Sequence, residues 1–343
     1  MRVKRVLAGA GGFLLLAGAA VTVPLSPVQQ ATEPPKPPAQ AAQDQAPFPI
    51  IKPERHEAYR IHPRLARRTR LVLLGTGTPI PQPESFGPGT LIVVDEKPYL
   101  VDFGIGVVRQ TQAVQKAGVL GLTIARLCLG FCTHLHSDHT LGLADLITTP
   151  WMAGRSEPLV LYGPDGLSDM VGHLLKAYEL SYQHTRALPV SPNPRGLEVD
   201  VRPMRPGVIY TDDKVTVRAF PVNHGSWSGA YGLRFDTADL KVVWSGDTAP
   251  SERLVEEARG CDVLIHEVYC EKNFAYLDPA TRDYYKAFHT SSSELARIAE
   301  EVKPRLLVLV HEMHFASGPS DMLKEIRKGY RGKVVYGRDL DIF

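Results

Sequence analysis

Cys132-Thr133-His134-Leu135-His136-Ser137-Asp138-His139-Thr140-Leu141 places three histidines and an aspartate between positions 134 and 139. The apolar run ahead of it, residues 124–131, reads as a buried strand, and residues 141–147 behind it read as a helix. The cluster therefore falls on a strand-to-helix turn. On a flat strand His134, His136 and Asp138 would share a face and His139 would point away. A turn into a helix brings His139 back, so that two imidazoles can hold one metal while Asp138 and His139 begin a second site. Imidazole with carboxylate is a ligand set for zinc, iron or manganese. Two such ions roughly 3.5–4 Å apart can activate a shared water. The structural alternative is a polar surface loop rich in histidine by chance. His-x-His-x-Asp-His directly after an apolar strand is a demanding pattern for that alternative.

The rest of the chain bounds the reading. With 343 residues and 44% apolar composition it can form one large domain or two modest ones. A formal net charge of +2 gives no electrostatic footprint for nucleic acid. Four cysteines in this length are no disulfide framework. Cys128 and Cys132 lie too far apart along one strand to pair, whereas Cys261 and Cys270 flank a candidate strand and can be considered as a pair. Residues 1–25 carry Arg2, Lys4 and Arg5 ahead of a continuous apolar run containing Ala17-Gly18-Ala19-Ala20, the pattern of an export signal. An uncleaved anchor is the other reading of this run. Either places the body of the protein outside the cytoplasm, in the periplasm or secreted. Residues 26–68 are a Pro/Ala/Gln-rich linker followed by an arginine-rich lead-in, and the folded domain spans 69–343.

Within that domain, polar residues of metal-binding type close one apolar strand after another: His134, His224, Asp247, His266 and His311. Ligands borne on loops at one edge of a rigid sheet are what an α/β site requires. Strand and helix signals occur in both halves, which suits two sheets packed face to face with helices outside, a single αββα domain. Gly104-x-Gly106 lacks the third glycine of a dinucleotide fingerprint and reads as a tight turn beside the site. Residues 185–207 are Pro-rich and irregular and are a candidate wall or lid. Trp151, Trp227 and Tyr231 can serve as apolar walls or as core.

From Leu71 to His311 the chain resembles the ribonuclease Z-like branch of the metallo-β-lactamase superfamily. The resemblance rests on Leu74-Gly75-Thr76-Gly77-Thr78-Pro79, Asp102-Phe103-Gly104, 133–140, Tyr162-Gly163-Pro164, Asn223-His224-Gly225, Ser245-Gly246-Asp247-Thr248, Ile265-His266-Glu267, His289-Thr290-Ser291 and Val310-His311. It implies an αββα metallo-β-lactamase sandwich and two divalent ions, with zinc favoured. It assigns His134, His136 and His224 to the first metal, Asp138, His139 and His311 to the second, and Asp247 as a bridge. It also implies that Glu267 and His289 form a carboxylate–histidine couple, the histidine protonating the leaving oxygen. A neighbouring carboxylate would fix the tautomer of that imidazole and raise its pKa. His289-Thr290-Ser291-Ser292-Ser293-Glu294 is also a helix N-terminus signal, and both readings can hold. His314 matches no ligand position.

One departure matters for substrate. The tRNA-processing members often carry a long arm before the Gly-Asp-Thr turn; here Gly232 and Gly246 are separated by a hairpin-length segment. With the export signal and the near-neutral charge, this argues against tRNA and for a small-molecule ester, a phosphodiester or an aryl sulfate. A lactonase or β-lactamase and a non-catalytic binding protein are the alternatives. A homodimer is implied only by the branch.

Overall fold

The computed structural model describes residues 68–116 and 122–343. The export segment and, apart from Arg68, the linker lie outside the described residues. Six strands of the first half pair in sequence order: β1 (Thr69–Gly75), β2 (Gly89–Val94), β3 (Lys97–Val101), β4 (Leu129–Phe131), β5 (Leu159–Gly163) and β6 (Val199–Pro203). β1 to β3 form an antiparallel meander. Its second turn is Asp95-Glu96, both at positive φ (44° and 68°), as a two-residue hairpin with the native twist demands. From β3 to β6 the strands are parallel. The crossovers carry α1 (Val107–Lys116), α2 (Ser137–Thr140), α3 (Leu143–Met152), α4 (Leu167–Ala177) and α5 (Glu179–Arg186).

The second half repeats the plan in the same order. An antiparallel run, β7 (Gly207–Thr211), β8 (Val215–Pro221), β9 (Tyr231–Thr237) and β10 (Lys241–Trp244), leads into a parallel run of β11 (Val263–Tyr269), β12 (Leu306–Met313) and β13 (Val334–Tyr336). Its helices are α6 (Glu252–Ala258), α7 (Pro279–Phe288), α8 (Ser292–Val302) and α9 (Pro319–Gly329).

Burial on both faces explains why the strands read as unbroken apolar runs. In β1, Leu71 and Leu73 enter the core between the sheets, while Val72 and Leu74 pack with Val107, Val108, Leu146 and Trp151 under the first helix layer. In β11, Ile265 faces the intersheet core and Leu264 faces α6, α8 and α9 through Leu254, Leu295 and Ile326. The architecture is the expected four-layer sandwich.

Three expectations are corrected, and the open question of a Cys261–Cys270 pair is answered. The strand over 124–131 shrinks to β4, because residues 124–126 form a 3₁₀ turn and the Leu127 carbonyl is taken by the Arg155 guanidinium at 3.0 Å. The helix expected from 167 to 180 breaks at Tyr178 into α4 and α5. Residues 185–207 form no lid. Their first part packs at the N-terminal end of β4, where Trp151 Nε1 donates to Asn193 O (2.9 Å) and Arg155 Nε to Gly196 O (3.0 Å), and their second part contains β6. All four cysteines are free, with Cys261 and Cys270 at opposite ends of β11. Trp151 and Tyr231 belong to the cores.

Candidate metal centre

The parallel strands end on one side of the sandwich, and the loops leaving them carry the polar residues. After β4 the chain passes through Thr133 and His134 into the single turn α2, which carries Asp138 and His139. His224 follows β8, Asp247 follows β10 and His311 lies inside β12. His311 has φ 48° and is the extra residue of a bulge: Val310 pairs with Glu267 and Glu312 with Val268. Bulges re-aim side chains, and this one turns His311 out of the strand's alternation. Its N–H donates to Thr76 O (2.9 Å), which ties it to the loop after β1.

The seven residues converge in two groups. His134, His136, His224 and Asp247 form one, and Asp138, His139 and His311 form the other. Asp247 lies between them: its Oδ2 is 3.8 Å from His134 Nε2 and 3.5 Å from both His139 Nε2 and His311 Nε2. Asp138 Oδ2 is 3.1 Å from His311 Nε2 and 3.4 Å from His139 Nε2. All seven are buried except His136, which is half-exposed at the mouth. Gly246, at φ 62°, lets the loop after β10 reach this point, since a Cβ there would stand 2.6 Å from Tyr231 O.

The remaining ring nitrogens are held from behind. Asp102, fully buried and at φ 58°, accepts from His139 Nδ1 (2.9 Å) and from the Thr133 N–H (2.8 Å). Thr133 Oγ1 donates to the same carboxylate and lies 3.1 Å from His134 Nδ1. His224 Nδ1 donates to Phe288 O at 2.8 Å. These contacts fix the tautomers and leave the Nε2 lone pairs of His139 and His224 facing the centre. His139 Nε2 is buried with no hydrogen-bond partner among the described residues, and it faces two carboxylate oxygens. Nitrogen lone pairs and carboxylate oxygens crowded together in a dry pocket repel unless a cation lies among them. The donor set therefore fits divalent metal.

In the sequence Asp102 belongs to the Asp102-Phe103-Gly104 motif and carries no assigned role. Its positive φ and its partners, 31 and 37 residues away, become visible only in the fold. His266 is not at the centre. It shares the face of Leu264, is fully buried beneath the second helix layer, and burial lowers its pKa to about 4.

Glu267 and His289 lie beside the centre, His289 grouping with Asp247 and His311. His289 Nδ1 is 3.3 Å from Glu267 Oε1. Glu267 Oε1 accepts from the backbone N–H groups of Thr248 and Thr290 (3.1 Å each). The expected rise in the pKa of His289 is not found: burial lowers it to about 4, and burial also pushes the Glu267 carboxyl well above its usual range. Burial outweighs the pull of Asp247 and Asp138 on the imidazole, and for Glu267 it acts in the same direction as the neighbouring Asp247 carboxylate. His289 is the C-cap of α7, and the helix signal after it is real: Ser291 and Glu294 form a capping box on α8.

The beta-lactamase superfamily domain matches residues 98–312, a span that runs from β3 to the bulge in β12. The chain belongs to the metallo-β-lactamase superfamily. A curated relative, ribonuclease Z of Mycobacterium bovis, is 30% identical over 277 residues, covering 79% of this chain and 96% of the relative. The ribonuclease Z of a Mycobacterium species is 34% identical over 246 residues, covering 70% and 83%. These place the chain in the ribonuclease Z-like branch of the superfamily. Among solved structures, the metallo-β-lactamase fold protein YhfI of Bacillus subtilis aligns with TM-score 0.60 at 19% identity, covering 81% of this chain and 100% of that one. The short form of human tRNase Z aligns with TM-score 0.58 at 23% identity, covering 80% and 98%. As a superfamily member the chain is a hydrolase, and its His/Asp groups are those that can hold divalent metal.

Proposed function

We propose that this metallo-β-lactamase-fold hydrolase is exported and cleaves phosphodiester or aryl sulfate esters of small molecules. The observation that carries this reading is the pair Glu267–His289 beside the two donor groups, because a leaving alkoxide or phenoxide needs a proton donor at that place. His134, His136 and His224 would hold one divalent ion, Asp138, His139 and His311 the other, with Asp247 shared; zinc suits all seven ligands. Such ions, when bound, supply Lewis-acid neutralisation of the ester oxygens and activation of a water. Asp138 accepts the proton of the attacking water. His289, with Nδ1 turned to Glu267, presents Nε2 to the leaving oxygen. An anionic ester beside that imidazole favours its protonated form, and Glu267, held by two N–H groups, lies 3.3 Å from its Nδ1.

The names of the relatives favour a second reading, tRNA 3′ processing. Against it, β9 and β10 are joined by a tight hairpin in which Thr237 N donates to Leu240 O (2.9 Å), leaving no arm. The export reading rests on residues 1–25, and fractionation of the producing cell tests it. Among the described residues no helix is long and apolar enough to cross a membrane.

Zinc-loaded protein is to be assayed on bis(4-nitrophenyl) phosphate, 4-nitrophenyl sulfate, an acyl lactone, nitrocefin and a tRNA precursor side by side. The reading expects the phosphate diester or the sulfate to be preferred, and preference for the lactone, nitrocefin or tRNA overturns it. His289→Ala is expected to lower kcat by roughly 10²–10⁴-fold for esters with poor leaving groups and less for 4-nitrophenyl esters. A uniform loss across leaving groups would remove the acid assignment.

A further inference from the structure

Two aromatic walls stand at the mouth of the centre, and neither is needed by a core. Trp227, in the loop between β8 and β9, lies edge-on to His136 with ring centroids 4.4 Å apart, and 6.3 Å from His134. On the other side of His224 stands Phe288, 5.1 Å from that imidazole, with Tyr284 stacked on it at 4.5 Å and an interplanar angle of 22°. Tyr284 is 45% exposed and 6.1 Å from His289. Trp227 is half-buried, whereas Trp151 and Trp244 are 0% and 3% exposed in the cores. Large apolar rings left part-exposed beside a cluster of histidines and carboxylates mark a place where a ligand supplies the missing apolar contact.

The two walls are built as one unit. His224 Nδ1 donates to Phe288 O (2.8 Å) and Gly225 N to Ala287 O (2.9 Å), so the loop carrying Trp227 is hydrogen-bonded to the C-terminal end of α7, which carries Tyr284. Gly225 is at φ 54°, and a Cβ there would lie 2.1 Å from the Phe288 ring. Trp227 N closes a turn on His224 O at 2.9 Å, which fixes the base of the indole. The rings are thus pre-set relative to the reacting side chains, and little ordering is required when a ligand arrives.

We propose that Trp227 and Tyr284 make this site selective for aromatic esters. The leaving aryl group rests on Tyr284, next to the His289 proton donor, and the retained ester group rests on Trp227. The inference rests on the ester-hydrolase reading above and narrows it to diaryl and aryl esters. Stacking of this kind is worth roughly a threefold to tenfold change in affinity per ring.

Two measurements on the zinc-loaded full-length protein test it. The first compares bis(4-nitrophenyl) phosphate with methyl 4-nitrophenyl phosphate, which share a leaving group and differ in the retained group. Trp227→Ala is expected to raise KM for the diaryl ester roughly threefold to tenfold more than for the methyl ester, and Trp227→Phe to restore the difference. Tyr284→Ala is expected to raise KM for both. The second measurement reads binding without turnover: 4-nitrobenzylphosphonate, a nitroaryl quencher, should quench tryptophan fluorescence saturably. The largest part of that quenching should vanish in Trp227→Phe. Equal KM shifts for both esters, with quenching unchanged in Trp227→Phe, would overturn the aryl assignment while leaving the hydrolase reading in place. Saturable Trp227-dependent quenching with hydrolysis of neither ester would keep the aryl site and overturn the hydrolase reading.

Discussion

At the scale of single residues, the metal-type side chains were legible and their supports were not. His-x-His-x-Asp-His announces itself by type and spacing. Asp102 is one carboxylate among many in the sequence, and its place under His139 and Thr133 depends on β3 lying beside β4. Removing it takes the acceptor from three buried donors, at about 1–3 kcal/mol for each left unpaired. Asp102→Ala is therefore expected to weaken metal affinity about 10–100-fold, read by equilibrium dialysis of zinc against the unaltered protein. A second buried-edge carboxylate controls stability at the start of β3, well away from the centre. Asp212 accepts from Lys97 Nζ (2.7 Å), Tyr99 OH (2.7 Å), Tyr210 OH (2.8 Å) and the Lys214 N–H (2.9 Å). Burial alone would raise its pKa, but these donors outweigh it and hold the carboxyl well below its usual range. With the folded pKa depressed, the stabilisation is complete above the unfolded value, about 4, and is lost as pH falls towards the depressed value. The gap in urea midpoint between the unaltered protein and Asp212→Asn is expected to be constant above about pH 5 and to shrink on acidification below about pH 4. A gap independent of pH would show that the hydrogen bonds, and not the charge, matter.

At the scale of elements, the apolar runs that lead to His224, Asp247 and His311 are legible as β8, β10 and β12, because burial on both faces leaves little ambiguity. The misreadings occurred where a distant group decides. The 3₁₀ turn ahead of β4 is held by Arg155, a fully buried guanidinium whose partners Leu127, Leu146, Ile147 and Gly196 come from three segments. The bulge at His311 follows from the register of β12 against β11, which periodicity within one strand does not contain. Local signals fared better at α8, where Ser291 Oγ accepts from Glu294 N (3.3 Å) and Glu294 Oε2 accepts from Ser291 N (3.0 Å). Ser291→Ala is expected to lower stability by about 1 kcal/mol in urea unfolding. The helix starts three residues after His289, with its N-cap Ser291 two residues after it, so the same variant should also alter kcat more than its stability loss alone predicts.

At the scale of the molecule, the last residues close the sandwich. Leu71 N and Leu73 N donate to Phe343 O and Asp341 O (3.0 Å each), which covers the outer edge of β1. Asp339 accepts from Thr76 N (2.9 Å) and Phe86 N (2.7 Å), bracing the loop whose Thr76 carbonyl receives His311. Deleting residues 338–343 would expose an unpaired edge strand and free that loop. The expected outcome is a lower unfolding temperature together with concentration-dependent association in light scattering. Intact monodispersity after the deletion would show that the edge is protected by other means.

What the sequence determined by itself was the set of metal-type side chains, the fold class and the order of the strands that present them, because ligand chemistry is fixed by residue type and strand burial by apolar runs. What only the tertiary structure decided was which side chains stand behind that set and which line its mouth. Tyr284 and Phe288 carry no local signal, Trp227 is one of three candidate aromatics and Asp102 a motif residue with no assigned role; their places come from contacts between segments tens of residues apart, which are set by sheet pairing and by the docking of α7 on the loop after β8.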